Sequence, residues 1–538
     1  MYDLIIKNGE IIDGTGKTSY RSDIGIIGDQ IVEIKQYIEE TSHQVIDAKN
    51  LVVCPGFIDI DSHSDFSLYS NPYAESKIRQ GVTTEIVGQG GRTLGPLDQK
   101  KLPELKQYTK SYVQDRNIKN YWNWHTQYEF INRLKENKTS VNIASLVGYG
   151  SIRIAVMGFR EDRPTEKQLN QISDLLEEEL KNGIHGLSFG FDNSPDSLAS
   201  IDEIVQMAKI VKKYNGICAI HMREEGVYLL ESIYEAIEIC RLSEVKLQIS
   251  HLKAAHPQNW GKVKEVVQLI NKAKKQGFDI DYDVYPYVAY ESVLNDVLPT
   301  WLRTYSPWKI VEFLKDNQTR QEVIKEMLDL DSTWGNPLIG SSWSQITITS
   351  LKTEKNKSLI GLDINDIAQL LNKPPHDVVI DLLIEEEGVI KIIFAAMIET
   401  DLEEVLKQSM AIYSSDGLAV SPDGCYKNVK VHPRYYGTFP RVLGRYVREK
   451  QLISIEDAIR NMTYLPALKM NIKDRGILEK GYKADITIFD QSTIIDTATF
   501  QDPHQYPVGI DTVIVNGTIV VHDNEHKKTL PGVVIKRI

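Results

Sequence analysis

Asp61 and His63 stand two residues apart just past an apolar run, Leu51–Ile60. His221 follows the apolar stretch Ile217–Ile220, His251 follows Val245–Ser250, and Asp416 follows Ala411–Ser415. A spacing of two puts Asp61 and His63 on the same side of an extended chain. Imidazole and carboxylate are ligands for zinc and related divalent ions, so a set of them gathered in one place supports metal-assisted hydrolysis. A lone histidine is more often a hydrogen-bonded structural residue. Two of them, each directly after an apolar strand, make a candidate metal centre with Asp61, His63 and Asp416. His43, His125, His185, His376, His504, His522 and His526 lack such placement and read as ordinary residues. Cys54, Cys218, Cys240 and Cys425 show no short metal-type spacing and read as reduced thiols.

These side chains work together only if the elements carrying them converge. From about Thr165 the chain alternates helices and strands. Thr165 and Gln168 form a capping box before a helix with Leu169, Ile172, Leu176 and Leu180 on one face. Strand Gly186–Gly190 follows, and Ser200 and Glu203 cap the next helix. Then come strand Ile217–Ile220, helix Leu229–Ile239, strand Val245–Ser250, helix Val263–Lys275 and strand Phe278–Val284. A βα repeat of this kind argues for a parallel sheet, and the number of units fits a closed (β/α)8 TIM barrel of class α/β. In such a barrel chemistry sits where strands end and loops begin, which is where the Asp and His residues fall.

The two ends of the chain read differently. Leu4-Ile5-Ile6, the turn signal Asn8-Gly9, Ile11-Ile12, and the turn at Gly28-Asp29 between Ile24–Ile27 and Ile31–Ile34 are hairpin punctuation. Ala484–Asp490 and Thr512–Val521 have the same texture, so one β-sandwich domain is expected from residues 1–50 and 476–538. The barrel is then 51–475, with an insertion at about 293–385.

The chain has 538 residues, with 62 Lys+Arg against 74 Asp+Glu and a net charge of −12. With 34 Gly, 20 Pro and 4 Cys, collagen-like, disordered and disulfide-stapled classes are excluded. No basic block is present, so nucleic acid is not the expected partner. No apolar stretch reaches the roughly 20 residues a membrane helix needs, and Met1-Tyr2-Asp3-Leu4 opens no signal peptide. The expectation is a cytoplasmic enzyme with no membrane partner; the sequence does not speak to oligomeric state.

At this level of detail the chain resembles the N-acyl-D-amino-acid deacylase (D-aminoacylase) group of the amidohydrolase superfamily. The resemblance rests on Pro55-Gly56-Phe57-Ile58-Asp59, Gly81-Val82-Thr83-Thr84, His221-Met222-Arg223-Glu224-Glu225, Ile249-Ser250-His251-Leu252-Lys253, Asp283-Val284-Tyr285-Pro286-Tyr287, Ser415-Asp416-Gly417, His432-Pro433-Arg434 and Gly481-Tyr482-Lys483-Ala484-Asp485. It covers nearly the whole chain. It implies metal-dependent hydrolysis of an amide C–N bond in a small-molecule or peptide N-acyl substrate. It implies His221 and His251 as metal ligands, Asp416 as the catalytic aspartate, and Lys253, Arg223 and Tyr285 as residues that hold substrate or brace ligands. Asp192, just past strand Gly186–Gly190, joins them as a pocket residue or a replacement metal carboxylate.

Two departures from the group's pattern bear on the metal. Asp61-Ser62-His63 stands where the superfamily carries His-x-His, and Gly90 stands where the second strand commonly ends in a metal-contacting Cys or acid. Three readings follow. The first is a hydrolase with one zinc ion held by His221, His251 and a choice among Asp61, His63 and water. The second is a site shifted toward manganese or another divalent ion. The third is a diverged homologue that acts on another amide or binds without hydrolysis. A cyclic amidase sharing the barrel is disfavoured because Gly186–Gly190 contains no lysine.

Overall fold

The computed structural model describes residues 1–113 and 122–537. Eight parallel strands form the barrel: β1 (Phe57–Asp59), β2 (Val82–Val87), β3 (Asn142–Ser145, continued by Val147–Gly148), β4 (Gly186–Gly190), β5 (Ile217–His221), β6 (Lys246–Ile249), β7 (Ile280–Val284) and β8 (Ala411–Tyr413). Each pairs with the next in parallel register. The ring closes between β8 and β1 through the parallel bridge of Ser62 to Gly417. The Asp416 amide donates to the Asp61 carbonyl (2.9 Å) and the His63 amide to the Gly417 carbonyl (3.1 Å). Three of the predicted site residues therefore lie on the closing seam.

Helices Glu166–Lys181, Ile201–Lys213, Leu229–Ser243 and Val263–Lys275 alternate with the strands, and both capping signals form. Thr165 and Gln168 make the reciprocal capping box, and the Ser200 hydroxyl accepts from the Glu203 amide. Each helix buries one apolar stripe, such as Ile172, Leu176 and Leu180 in the first.

The apolar run Leu51–Ile60 is two strands rather than one. Val52–Pro55 pairs with Tyr2–Ile11 and Ile486–Phe489 in the β domain, whereas Phe57–Asp59 is β1 of the barrel. The break is at Gly56, where a Cβ would lie 2.2 Å from Thr83 Cγ2, so only glycine lets the chain pass this close to β2. The predicted turn at Asn8-Gly9 is a bulge within one continuous strand, Tyr2–Ile11. The register shifts between Ile6 and Gly9, and Asn8 (φ +63°) accommodates the extra residue.

Nine strands from both ends of the chain make one continuously hydrogen-bonded sheet. Leu4, Ile6, Ile24 and Ile26 from one end pack with Ile486, Ile488 and Ile514 from the other. Strands Tyr290–Val293, Ile346–Ser350 and Lys391–Phe394 form a separate antiparallel sheet between β7 and β8. It has its own core, including Leu294, Val297, Ile346, Ile348 and Phe394. Among the described residues no helix is long and apolar enough to cross a membrane.

Candidate metal centre and active site

Asp61, His63, His221, His251 and Asp416 meet at the C-terminal mouth of the barrel, all buried. Their donor atoms form two overlapping triads, Asp61/His221/His251 and Asp61/His63/Asp416, in each of which the atoms lie within 4.8 Å of one another. Asp61 belongs to both. His251 Nε2 is 3.0 Å from His221 Nδ1, His63 Nε2 is 3.1 Å from Asp416 Oδ1, and His221 Nε2 is 3.9 Å from Asp61 Oδ2.

The backbone holds these positions at a cost. His251 (φ +38°) and Asp416 (φ +44°) are left-handed residues without being glycine, a conformation that survives only where neighbours enforce it. Asp283 on β7 does so for His251: its carboxylate accepts from the His251 amide (2.9 Å), Ser414 Oγ (2.7 Å) and Gln248 Nε2 (2.9 Å). Asp59 on β1 does so beside Asp416, accepting from the Ser415 amide (2.9 Å) and from Lys77 Nζ (2.7 Å). Lys77, fully buried, also donates to the Gly417 carbonyl (3.0 Å).

The residues fit a bound cation. Both Asp61 oxygens, His221 Nε2 and His63 Nδ1 are buried with no hydrogen-bond partner among the described residues, a costly condition unless an ion satisfies them. Burial drives the Asp61 carboxyl well above the ordinary range, reinforced by the Asp283 and Asp416 carboxylates. Burial also holds the His221 imidazole far below its usual value, with His251 adding to the effect, which keeps it in the neutral form that coordinates metals. Burial would raise the Asp416 carboxyl too, but the Arg434 guanidinium and the His63 hydrogen bond outweigh it and hold the group well below the usual range. Arg434 bonds Asp416 Oδ2 (2.9 Å) and the Asp416 carbonyl (2.9 Å).

The four residues assigned to substrate all line the same cavity, of about 140 Å³, but in different conditions. Tyr285 is buried and its hydroxyl has no hydrogen-bond partner among the described residues. Asp192 lies beside Asn193, its carboxyl raised by burial against the pull of Arg92. It belongs to neither ligand triad. Lys253 is not a free cation: Nζ bonds Glu225 Oε1 (2.6 Å) and lies 2.7 Å from His251 Nδ1. Arg223 is likewise engaged, with Glu235 (3.0 Å) and the Ser197 carbonyl (2.6 Å). Gly90 places no side chain at the site, and a Cβ there would meet His221 Cε1 at 3.2 Å.

Sequence reasoning quoted Glu225, Asp283 and Arg434 only as parts of motifs and missed Arg92, Arg303 and His256 in the cavity wall. Arg92 stands two residues past Gly90, so its place at the end of β2 was a usable signal. Arg303 and His256 carried none, because only folding of the insertion brings Arg303 over the barrel.

A model of the amidohydrolase family matches residues 416–521. D-aminoacylase of Alcaligenes xylosoxydans xylosoxydans is 31% identical over 539 residues, covering 100% of this chain and 98% of that protein. The crystal structure of N-acyl-D-glutamate deacylase from Bordetella bronchiseptica, complexed with zinc and a phosphonate mimic of the tetrahedral intermediate, matches with a TM-score of 0.82, 27% identity and 99% coverage of each chain. A D-aminoacylase structure concerned with that enzyme's binuclear metal centre matches with a TM-score of 0.82, 29% identity and 100% coverage of each chain. With its full length aligned to D-aminoacylase at this identity, this chain belongs to the D-aminoacylase family of amidohydrolases.

Proposed function

We propose that this protein hydrolyses the amide bond of N-acyl-D-amino acids, or of related N-acylated D-residue peptides, with a divalent metal ion. The observation that carries the reading is the pair of donor triads sharing Asp61, whose buried oxygens have no hydrogen-bond partner among the described residues. His221, His251 and Asp61 would hold one ion, with zinc the first choice. An ion bound there supplies Lewis-acid activation of water and of the amide carbonyl.

The chain's own groups do the rest. Asp416, kept ionised by Arg434, accepts the proton of the attacking water at its carboxylate and delivers it to the leaving nitrogen. General acid–base help of this kind is worth about 10²–10⁴-fold. Glu225 and Lys253 fix the His251 ring from its Nδ1 side, which orients Nε2 toward the site. The Tyr285 hydroxyl offers a donor to the substrate, and the Arg434 guanidinium packs 4.7 Å above its ring.

A second reading of metal content rests on one feature: Asp61 is common to both triads, so its carboxylate can serve a second ion held by His63 and Asp416. The test is turnover of N-acetyl-D-methionine, N-acetyl-D-glutamate and their L enantiomers by chelator-dialysed protein, before and after adding zinc, manganese or cobalt, with metal counted by elemental analysis. Metal-restored cleavage confined to D substrates is the expected result. Cleavage of none of these amides under any metal overturns the proposal.

A further inference from the structure

His256 stands in the loop after β6, five residues beyond His251, and lines the cavity over the metal centre. Its backbone is unusual for its residue type. The φ is +70° and the ψ 144°, close to a region that only glycine occupies without strain. Pro257 accounts for the ψ, because a residue before proline is driven to extended values, but not for the φ. The His256 amide donates to the Ala396 carbonyl (2.7 Å), just past the insertion strand Lys391–Phe394, and its carbonyl accepts from the Asn259 amide (3.0 Å). These bonds pin the main chain, and glycine at this position could make both of them.

The side chain adds a second cost. His256 is 7% exposed, and its ring meets Phe394 (centroids 5.0 Å apart) and Tyr290 (6.2 Å) edge-on, both from the insertion sheet. That packing asks only for an apolar ring. Among the described residues neither nitrogen of the ring has a hydrogen-bond partner, and Nδ1 is completely buried. Burial holds the imidazole down to about 4, against the pull of the Glu225 carboxylate, so the ring is neutral. A buried polar ring without partners is destabilising unless something else satisfies it. A strained backbone and an unsatisfied ring at one residue of a substrate cavity call for a ligand that completes them.

We infer that His256 is a substrate-binding, specificity-determining residue, and that the preferred substrate carries a second, uncharged carboxamide that hydrogen-bonds its ring. A neutral imidazole presents one N–H donor and one bare acceptor nitrogen. A carboxamide has both an acceptor and a donor, so it fits whichever nitrogen carries the proton. The ring brings no charge to balance a carboxylate, and an apolar group would leave both nitrogens unpaired. The inference rests on the deacylase reading and narrows it to N-acyl-D-amino acids with an additional amide. That amide can sit on the amino-acid side chain or within the acyl arm.

Two matched pairs, assayed with the metal-loaded full-length protein, separate these sources. N-acetyl-D-glutamine against N-acetyl-D-methionine tests the side chain, and N-acetylglycyl-D-methionine against N-pentanoyl-D-methionine tests the acyl arm. The expected result is a kcat/KM at least tenfold higher for the carboxamide member of one pair, and which pair it is locates the group. That preference should fall by about tenfold in His256→Phe, which keeps the ring packing, and equally in His256→Gly, which frees the backbone of strain. Because the readout is a ratio within one protein, a general loss of folded enzyme does not mimic it. A smaller preference in both pairs for wild type, or an unchanged ratio in the two variants, overturns the inference while leaving the deacylase reading intact. Cleavage of none of the four substrates overturns both.

Discussion

Asp416 carries the proton chemistry in the proposed reaction, and its surroundings explain how. Arg434 and His63 occupy its two oxygens, so the carboxylate is ionised and fixed in direction before substrate arrives. Asp416→Asn should lower kcat by about 10²–10⁴-fold with far smaller change in KM, measured by steady-state kinetics on the best D substrate. Gly90 is the second informative residue. It sits at φ +62° against the His221 ring, with only 3.2 Å available for a Cβ. Gly90→Cys is therefore expected to destabilise metal-free protein by about 1–2 kcal/mol through left-handed strain. The new thiolate should in turn raise the number of metal ions retained per chain. An apo melting temperature equal to wild type would remove the strain argument.

Among the elements, the seam between β8 and β1 does the positioning. Lys77 is buried between Asp59, Glu85 and the carbonyl of Gly417, and so ties β1 and β2 to the loop that bears Asp416. Removing one member of a buried ion pair leaves the other charge stranded, which costs about 3–5 kcal/mol. Lys77→Met should show that loss in urea unfolding, and Lys77→Met combined with Asp59→Asn should recover much of it. At the barrel's outer face the stakes are lower. Thr165→Ala removes one N-cap and should cost about 1 kcal/mol with no change in kcat/KM.

For the molecule as a whole, an ion bound by strands from separate parts of the chain links metal affinity to stability. β1, β5 and β6 contribute one triad, from residues 61 to 251, and β8 adds Asp416. Any ion that binds only the folded arrangement stabilises it by RT ln(1 + [L]/Kd), about 2.7 kcal/mol at a hundredfold excess over Kd. Chelator-dialysed protein should melt at a lower temperature, with the midpoint rising as zinc is titrated back. A midpoint indifferent to metal would contradict the fit of the triads to a cation. The insertion has its own core yet delivers Arg303, Glu291 and Lys391 to the cavity, so residues from two separately packed units line it.

Much of this was legible in the sequence because it is local. The capping box at Thr165 and the N-cap at Ser200, the strand–helix alternation, and an Asp or His after each of four apolar strands depend on neighbours within a few residues. The family motifs are short for the same reason. Other features were decided only in three dimensions. Whether Leu51–Ile60 was one strand or two turned on the contact of Gly56 with Thr83. The motifs marked Lys253 and Arg223 as residues that hold substrate or brace ligands, and only folding set Glu225 and Glu235 against them, whereas among the described residues Arg92 and Arg303 have no ion-pair partner. Pairing is settled by long-range approach, and sequence spacing carries no record of it. Residue types at strand ends thus determined the chemistry available to this protein, and tertiary structure decided which charges remain for a substrate to meet.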